Sequence, residues 1–203
     1  MTSPLLWFLN RGTGVVLLVV FTLTTVLGVL ATGRATSAWW PRFVTQGLHR
    51  TLSALSVLLL LAHAVVAVVD EFVDIRWWQV VVPFGGTYRP LWLGLGALSL
   101  DLSALLVATS LTRRWVSHRA WVLVHRSAYL AWLLGVVHGI GIGTDTSRSW
   151  LAVTDLACLA LVGLVAAARG VAVSRGLRAR RRHVGGGSAP AGDPWRAAAG
   201  ELT

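Results

Sequence analysis

Residues 48–69 read LHRTLSALSVLLLLAHAVVAVV, an apolar run interrupted near its start by His49 and Arg50 and again by His63. At about 1.5 Å per residue, a helix of this length crosses the roughly 30 Å hydrocarbon core of a bilayer. Lipid offers no hydrogen-bond partner to an open backbone, so such a run has to be helical. The sequence therefore predicts a membrane-spanning helix that carries two histidines.

Four further runs have the length and composition of membrane spans, and they cover residues 13–31, 91–111, 121–140 and 150–169. The chain is 55% hydrophobic and only 13% charged, whereas charged residues make up about a quarter of a soluble domain. The predicted fold is an all-α, polytopic bundle of about five transmembrane helices over residues 1–170, in contact with membrane lipid. Residues 171–203 are predicted to form an arginine-rich, flexible cytoplasmic tail.

Arginine accounts for all 18 basic residues, and the formal net charge is +10. The arginines lie in short loops and the tail beside apolar runs, which argues for membrane topology rather than a nucleic-acid partner. Fourteen fall on one predicted face: Arg34, Arg42, Arg50, Arg113, Arg114, Arg119, Arg126, Arg169, Arg175, Arg178, Arg180, Arg181, Arg182 and Arg196. The other face has Arg11, Arg76, Arg89 and Arg148, together with the acidic Asp70, Glu71, Asp74 and Asp145. The positive-inside rule thus predicts a multi-pass protein of the inner (plasma) membrane with its N-terminus outside and its C-terminus in the cytoplasm.

Four histidines fall in two of the spans, His49 and His63 in the second and His125 and His138 in the fourth. Their spacings of 14 and 13 residues correspond to roughly 21 and 20 Å along a helix. One crossing separates the two spans, so they run in the same direction. His49 is then level with His125 near the cytoplasmic face, and His63 with His138 near the outer face. A lone membrane histidine is often only an interhelical hydrogen-bonding group, but two matched pairs suit the axial positions of two haem irons.

The rotation of a regular helix fits the histidine spacing in the second span better than the spacing in the fourth. Fourteen residues leave His49 and His63 within about 40° of each other, whereas thirteen leave about 140° between His125 and His138. The fourth span must therefore be irregular, with Gly135 a candidate position, or the haems must approach it from two sides. The single cysteine, Cys158, excludes a disulfide within the chain and a CxxCH haem attachment, so any haem would be held without a covalent link.

Arginine follows both histidines of the predicted cytoplasmic level, at Arg50 and Arg126. These two arginines either neutralise haem propionates or simply obey the positive-inside rule, and both interpretations stay open. Arg89 and Arg148 are candidates for the propionates of the outer haem. Two more interior residues have no assigned role: Trp132, between the histidine levels and more typical of packing than of electron transfer, and the mid-span Asp101. Trp115 and Trp121 lie near span ends and are typical of the interfacial aromatic belt.

Over about residues 5–170 the sequence resembles the ferric reductase-like transmembrane superfamily, which includes the membrane core of NADPH oxidases. The resemblance rests on QGLHR at 46–50 with His63 fourteen residues later, and on VHRSAY at 124–129 with His138 thirteen residues after His125. The stretch VVPFGGTYRPLWLGLGAL at 81–98 is also similar to small stand-alone bacterial members. The four histidines occupy the positions of the family's haem ligands.

The resemblance implies a membrane cytochrome b in which two stacked b haems pass electrons across the bilayer to an extracytoplasmic acceptor: ferric iron, oxygen or a partner redox protein. Larger members continue into flavin and NADPH domains, for which this sequence has no motif, and their core has one more N-terminal span. A separate donor, a flavoprotein or quinol, is therefore expected. The competing interpretation is a non-redox scaffold or transporter with structural histidines, although transporters tend to show internal repeats and this sequence shows none.

The topology is tested by fusing a reporter to the C-terminus. The arginine distribution predicts that the fusion behaves as a cytoplasmic one, because the basic loops and tail resist translocation. Periplasmic activity of the reporter at this position would invert the orientation and exchange the two histidine levels between the membrane faces.

Overall fold

The structure is a computed structural model that describes residues 4–32, 41–70, 73–143 and 149–185. These residues form helices and no strands. The helices are α1 (Pro4–Ala31), α2 (Arg42–Val69), α3 (Trp77–Val81), α4 (Pro90–Leu111), α5 (His118–Arg126), α6 (Ala128–Ile142) and α7 (Ser149–Gly185). Several residues used in the topology argument lie outside the described ranges: Arg34, Glu71, Asp145, Arg148 and Arg196.

The prediction of an all-α bundle with five spans is confirmed. Within the described residues, five helical stretches are long and apolar enough to cross a membrane: Leu5–Ala31, Arg42–Val69, Pro90–Leu111, His118–Ile142 and Trp150–Leu177. The helices α1 and α2 begin well before the predicted starts at 13 and 48. A span read from hydropathy ends where polar residues begin, whereas the hydrogen bonds of a helix continue through such residues. The helices are therefore longer than the apolar runs.

The surface of the bundle is apolar. Leu58, Leu130 and Leu164 are 64%, 50% and 69% exposed although they lie in the middle of their spans. Many of the buried positions are instead small or hydroxyl-bearing, as at Ala97 and Ser99. Small residues allow the helix backbones to approach closely, and exposed leucines suit contact with lipid chains. The chain therefore has the character of an integral membrane protein.

Two antiparallel helix pairs make up the body of the bundle, α1 with α2 and α4 with α6. A buried pair of hydroxyls, Thr24 Oγ1 and Ser56 Oγ at 3.3 Å, joins the first pair. In the second pair, Ser99 Oγ donates a 2.8 Å hydrogen bond to the carbonyl of Ala131. The two pairs meet where Trp132 Nε1 donates to Thr22 Oγ1 at 2.9 Å.

The connection between α2 and α4 contains the short helix α3. Gln79 of α3 is buried, and its Oε1 accepts a 3.1 Å hydrogen bond from the backbone N–H of Arg76. Phe84 and Arg89 have positive φ angles of 64° and 38°. The ring of Phe84 lies where a side chain on Gly94 would be, so the connection packs directly against the backbone of α4.

The fourth span is irregular, but at a different residue from the predicted one. The break between α5 and α6 falls at Ser127, whose N–H reaches the carbonyls of both Val124 and His125. Ser127 Oγ also donates to the Val124 carbonyl at 2.7 Å. A serine hydroxyl that bonds the preceding turn competes with the regular helical pattern. Gly135, the predicted position, lies within the continuous helix α6.

Helix α7 continues to Gly185, beyond the predicted end of the membrane domain at residue 170. Its first part, up to Val165, belongs to the bundle and contributes the buried Cys158 and Val162 to the core. The remainder belongs to a second unit that begins at Ala166. The predicted flexible tail at 171–203 is thus helical as far as Gly185, and residues 186–203 lie outside the described ranges.

Candidate functional site

The four span histidines form the two pairs that the sequence predicts. The ring centroids of His49 and His125 are 6.2 Å apart, with their planes at 75°. The centroids of His63 and His138 are 6.5 Å apart, with their planes at 82°. In both pairs the ring planes stand nearly perpendicular to each other. The bundle therefore contains two similar levels, each bounded by one imidazole from α2 and one from the fourth span.

Three of these imidazoles are held by backbone carbonyls. Nδ1 of His49 lies 3.0 Å from the carbonyl of Thr24, and Nδ1 of His63 lies 3.1 Å from that of Asn10. Nδ1 of His138 lies 2.8 Å from the carbonyl of Trp92. A carbonyl oxygen only accepts, so Nδ1 carries the proton and donates in each case.

The tautomer of these three rings follows from that assignment. With the proton on Nδ1, a neutral imidazole presents the lone pair of Nε2. Among the described residues no hydrogen bond engages Nε2 of His49, His63 or His138. A metal-binding histidine characteristically donates its other ring N–H to a carbonyl or carboxylate, which fixes the ring and raises the basicity of the ligating nitrogen. These three side chains have that arrangement.

Glycine makes each of the three carbonyls accessible. Gly14, Gly28 and Gly96 each stand four residues after the accepting carbonyl, at Asn10, Thr24 and Trp92 respectively. A side chain on a helix leans back over the preceding turn, so a residue at this position would cover the carbonyl. A Cβ on Gly96 would stand 2.6 Å from Nδ1 of His138, and one on Gly14 would stand 3.1 Å from Cε1 of His63. The missing side chain thus opens the carbonyl and leaves room for the imidazole.

The fourth histidine, His125, is held differently. Its Nδ1 is buried and has no hydrogen-bond partner in the described part of the chain. Its ring is stacked instead on Trp121, with centroids 4.7 Å apart and planes at 15°. The two levels are therefore alike in the spacing of their rings but not in how the rings are held.

The dimensions of the pairs can be compared with metal ligation. A bond of about 2 Å to each ring nitrogen, with about 1 Å from that nitrogen to its ring centre, gives roughly 6 Å between ring centres. The observed 6.2 and 6.5 Å agree with this value. The described residues contain no group of three or more His, Cys, Asp or Glu side chains placed to hold a metal ion. Two imidazoles suffice when a macrocycle supplies the other ligands of the metal, so the donor set fits haem iron.

The predicted propionate partners, Arg50 and Arg126, are exposed and form no ion pair or hydrogen bond with other described residues. Each follows a histidine of the His49–His125 pair, so positive charge borders that level. Arg89 lies at the level of the other pair, where its Nη1 donates a 2.8 Å hydrogen bond to the carbonyl of Gly141. Arg148, the other candidate at that level, lies outside the described residues.

Trp132 is 5% exposed and lies in the core between the two histidine levels, packed with Val26, Val136, Cys158 and Val162. Its hydrogen bond to Thr22 satisfies its only donor, which accounts for its burial. Asp101 is half-buried in α4 and makes no hydrogen bond or ion pair with other described residues. Its role is not assigned by the geometry.

Sequence reasoning missed the supporting glycines and Trp121. A signal for the glycines was present, because Gly14 and Gly28 are 14 residues apart, as are His49 and His63. Trp121 was interpreted only as an interfacial residue. It precedes His125 by four residues, which places the two side chains on one helix face.

Comparison with known proteins adds no family assignment. No protein-family model matches the chain, and no curated protein matches it. The class of protein therefore rests on the structure itself: a five-span helical membrane protein with two pairs of facing imidazoles.

Substituting Gly96→Ala is expected to destabilise the protein by about 1–3 kcal/mol, because the added methyl group overlaps the anchored ring of His138. The matched control is Gly163→Ala in α7, where a Cβ has no neighbour within 4 Å, and which should change stability by no more than about 0.5 kcal/mol. Unfolding in mixed detergent micelles measures both. Equal effects of the two substitutions would contradict the proposed need for space beside His138.

Proposed function

We propose that this protein is a membrane cytochrome b that binds two b haems and transfers electrons between the two faces of the bilayer. His49 and His125 would ligate one haem, and His63 and His138 the other. The observation that carries the proposal is the pair of ring separations, 6.2 and 6.5 Å, with a lone pair on Nε2 of three of the four rings.

Structural histidines explain this arrangement less well. A histidine that serves only to join helices uses its polar atoms for bonds across the helix interface. Here Nδ1 makes such bonds, but the Nε2 atoms of His49, His63 and His138 make none with described residues. The same omission occurs at both levels, and none of these three Nε2 atoms is fully buried, so each borders space that a ligand can reach.

The residues of the chain have separate roles in this proposal. A bound haem supplies a reversible one-electron couple at its iron. The carbonyls of Asn10, Thr24 and Trp92 orient the ligating rings, and the apolar helices exclude water from them. Arg50 and Arg126 place positive charge beside one level, where it suits carboxylate groups.

The arginine distribution supports the proposed direction of transfer, because it supports a cytoplasmic position for one of the two histidine levels. The His49–His125 level borders Arg50 and Arg126, so the positive-inside rule places it on the cytoplasmic side. Electrons would enter there from a separate donor, a flavoprotein or quinol. They would leave at the His63–His138 level to an extracytoplasmic acceptor: ferric iron, oxygen or a partner redox protein.

The purified protein is expected to show a b-type Soret band and to contain two haems per chain in a pyridine haemochrome assay. Acidified organic solvent should extract both haems, because the chain has no CxxCH motif. One haem per chain would support a single-haem cytochrome instead. A colourless preparation after expression with sufficient haem would favour the non-redox scaffold or transporter.

Single-ligand variants test the pairing. His63→Ala and His138→Ala should remove the same haem band from the low-temperature absorption spectrum, since both substitutions remove a ligand from the same site. His49→Ala and His125→Ala should share a different loss. His183→Ala, in the tail beyond the membrane domain, serves as the control and should retain both haems. A match between the spectra of His49→Ala and His138→Ala would contradict the pairing and the parallel arrangement of the two spans.

A further inference from the structure

The support of His125 differs from that of the other three histidines, and α4 contains the reason. Seven residues separate Trp92 from Ser99, and seven separate Ala131 from His138, so the two contacts of α4 with α6 share one antiparallel register. Continued by residue number past the break at Ser127, that register assigns Leu105 to the level of His125. The residue four positions after Leu105 is Thr109 rather than a glycine.

Thr109 stands four residues after the carbonyl of Leu105, the position that is glycine beside each of the other three carbonyls. Its Oγ1 donates a 2.8 Å hydrogen bond to the carbonyl of Leu105, so this carbonyl already has a second donor. A carbonyl oxygen has two lone pairs, and the helical N–H uses the other. The carbonyl of Leu105 is therefore not open to a further donor, and Nδ1 of His125 has no hydrogen-bond partner among the described residues.

The ring of Trp121 occupies one face of His125, at a centroid distance of 4.7 Å and an angle of 15°. The guanidinium of Arg113 lies over the Trp121 ring, 4.9 Å from its centroid. Arg113 is itself fixed, because it donates to the carbonyl of Val116 at 3.3 Å and to Nδ1 of His118 at 3.0 Å. A column of stacked side chains thus leads from Arg113 in the α4–α5 connection through Trp121 to His125.

We propose that Trp121 is the positioning residue of His125, and that stacking on its indole sets the plane of this imidazole in place of the carbonyl hydrogen bond that holds the other three. The inference rests on the proposed haem-binding function. In His49, His63 and His138 a hydrogen bond restrains rotation of the imidazole about its Cβ–Cγ bond. In His125 only the stack on Trp121 restrains this rotation. The angle between ligand planes at the His49–His125 site therefore depends on Trp121.

Electron paramagnetic resonance of the oxidised, haem-loaded protein reports on the angle between the two imidazole planes at each site. The g-values of low-spin ferric haem with two axial imidazoles depend on the angle between the imidazole planes. Angles of 75° and 82° predict two highly anisotropic low-spin signals in the wild-type protein. The signal lost in His125→Ala identifies the His49–His125 site.

Trp121→Leu removes the stacked ring and should shift and broaden the signal of the His49–His125 site while the other signal stays in place. Trp121→Phe keeps an aromatic face and should restore most of the wild-type signal. The matched control is Trp115→Leu, because Trp115 lies in the adjoining α4–α5 connection, is 70% exposed and stacks only with Arg114 among the described residues.

Two unchanged signals in haem-loaded Trp121→Leu would overturn the inference while the proposed function stands. Wild-type protein without haem would overturn the proposed function and the inference together. If Trp121→Leu loses both haems, Trp121→Met takes its place as a milder removal of the ring. An unchanged His49–His125 signal in Trp121→Met then rejects the positioning role.

Discussion

A histidine inside an apolar helix bundle needs a partner for its ring N–H, and in this protein that partner is a helix carbonyl. The carbonyls of Asn10, Thr24 and Trp92 accept from Nδ1 at 2.8–3.1 Å. Each uses a lone pair that the helix leaves free, so the bond breaks no backbone hydrogen bond. Because it fixes the tautomer, it also directs the Nε2 lone pair, and the chemistry proposed for the site depends on that lone pair.

This requirement explains the positions of Gly14 and Gly28 in α1 and of Gly96 in α4. A carbonyl within a helix is covered by the side chain four residues later, and glycine alone leaves it open. In α1 the combination of carbonyl and glycine occurs twice, at Asn10 with Gly14 and at Thr24 with Gly28. The two copies are as far apart as His49 and His63 in the antiparallel helix α2, so both levels are built on one register.

The two levels differ in the fourth span. His138 lies in the continuous helix α6 and is anchored to α4, whereas His125 lies in the last turn of α5, just before the break at Ser127. The break changes the rotation between the two histidines and brings both to face α2, which thirteen residues of regular helix would not do. At the level of His125 the carbonyl of Leu105 in α4 already accepts from Thr109 Oγ1, and the ring of His125 is stacked on Trp121 instead.

The sequence by itself determined the five helices, because lipid forces long apolar runs into that conformation. It also determined the pairing of His49 with His125 and of His63 with His138, because depth along parallel helices follows from residue number. It did not determine the break at Ser127, since a single hydroxyl can bond the preceding turn without interrupting a helix. Nor did it show that Gly14, Gly28 and Gly96 open carbonyls or that Trp121 stacks on His125. Those roles depend on the rotation of each helix about its axis and on the register between neighbours, which only the packing of the whole bundle decides.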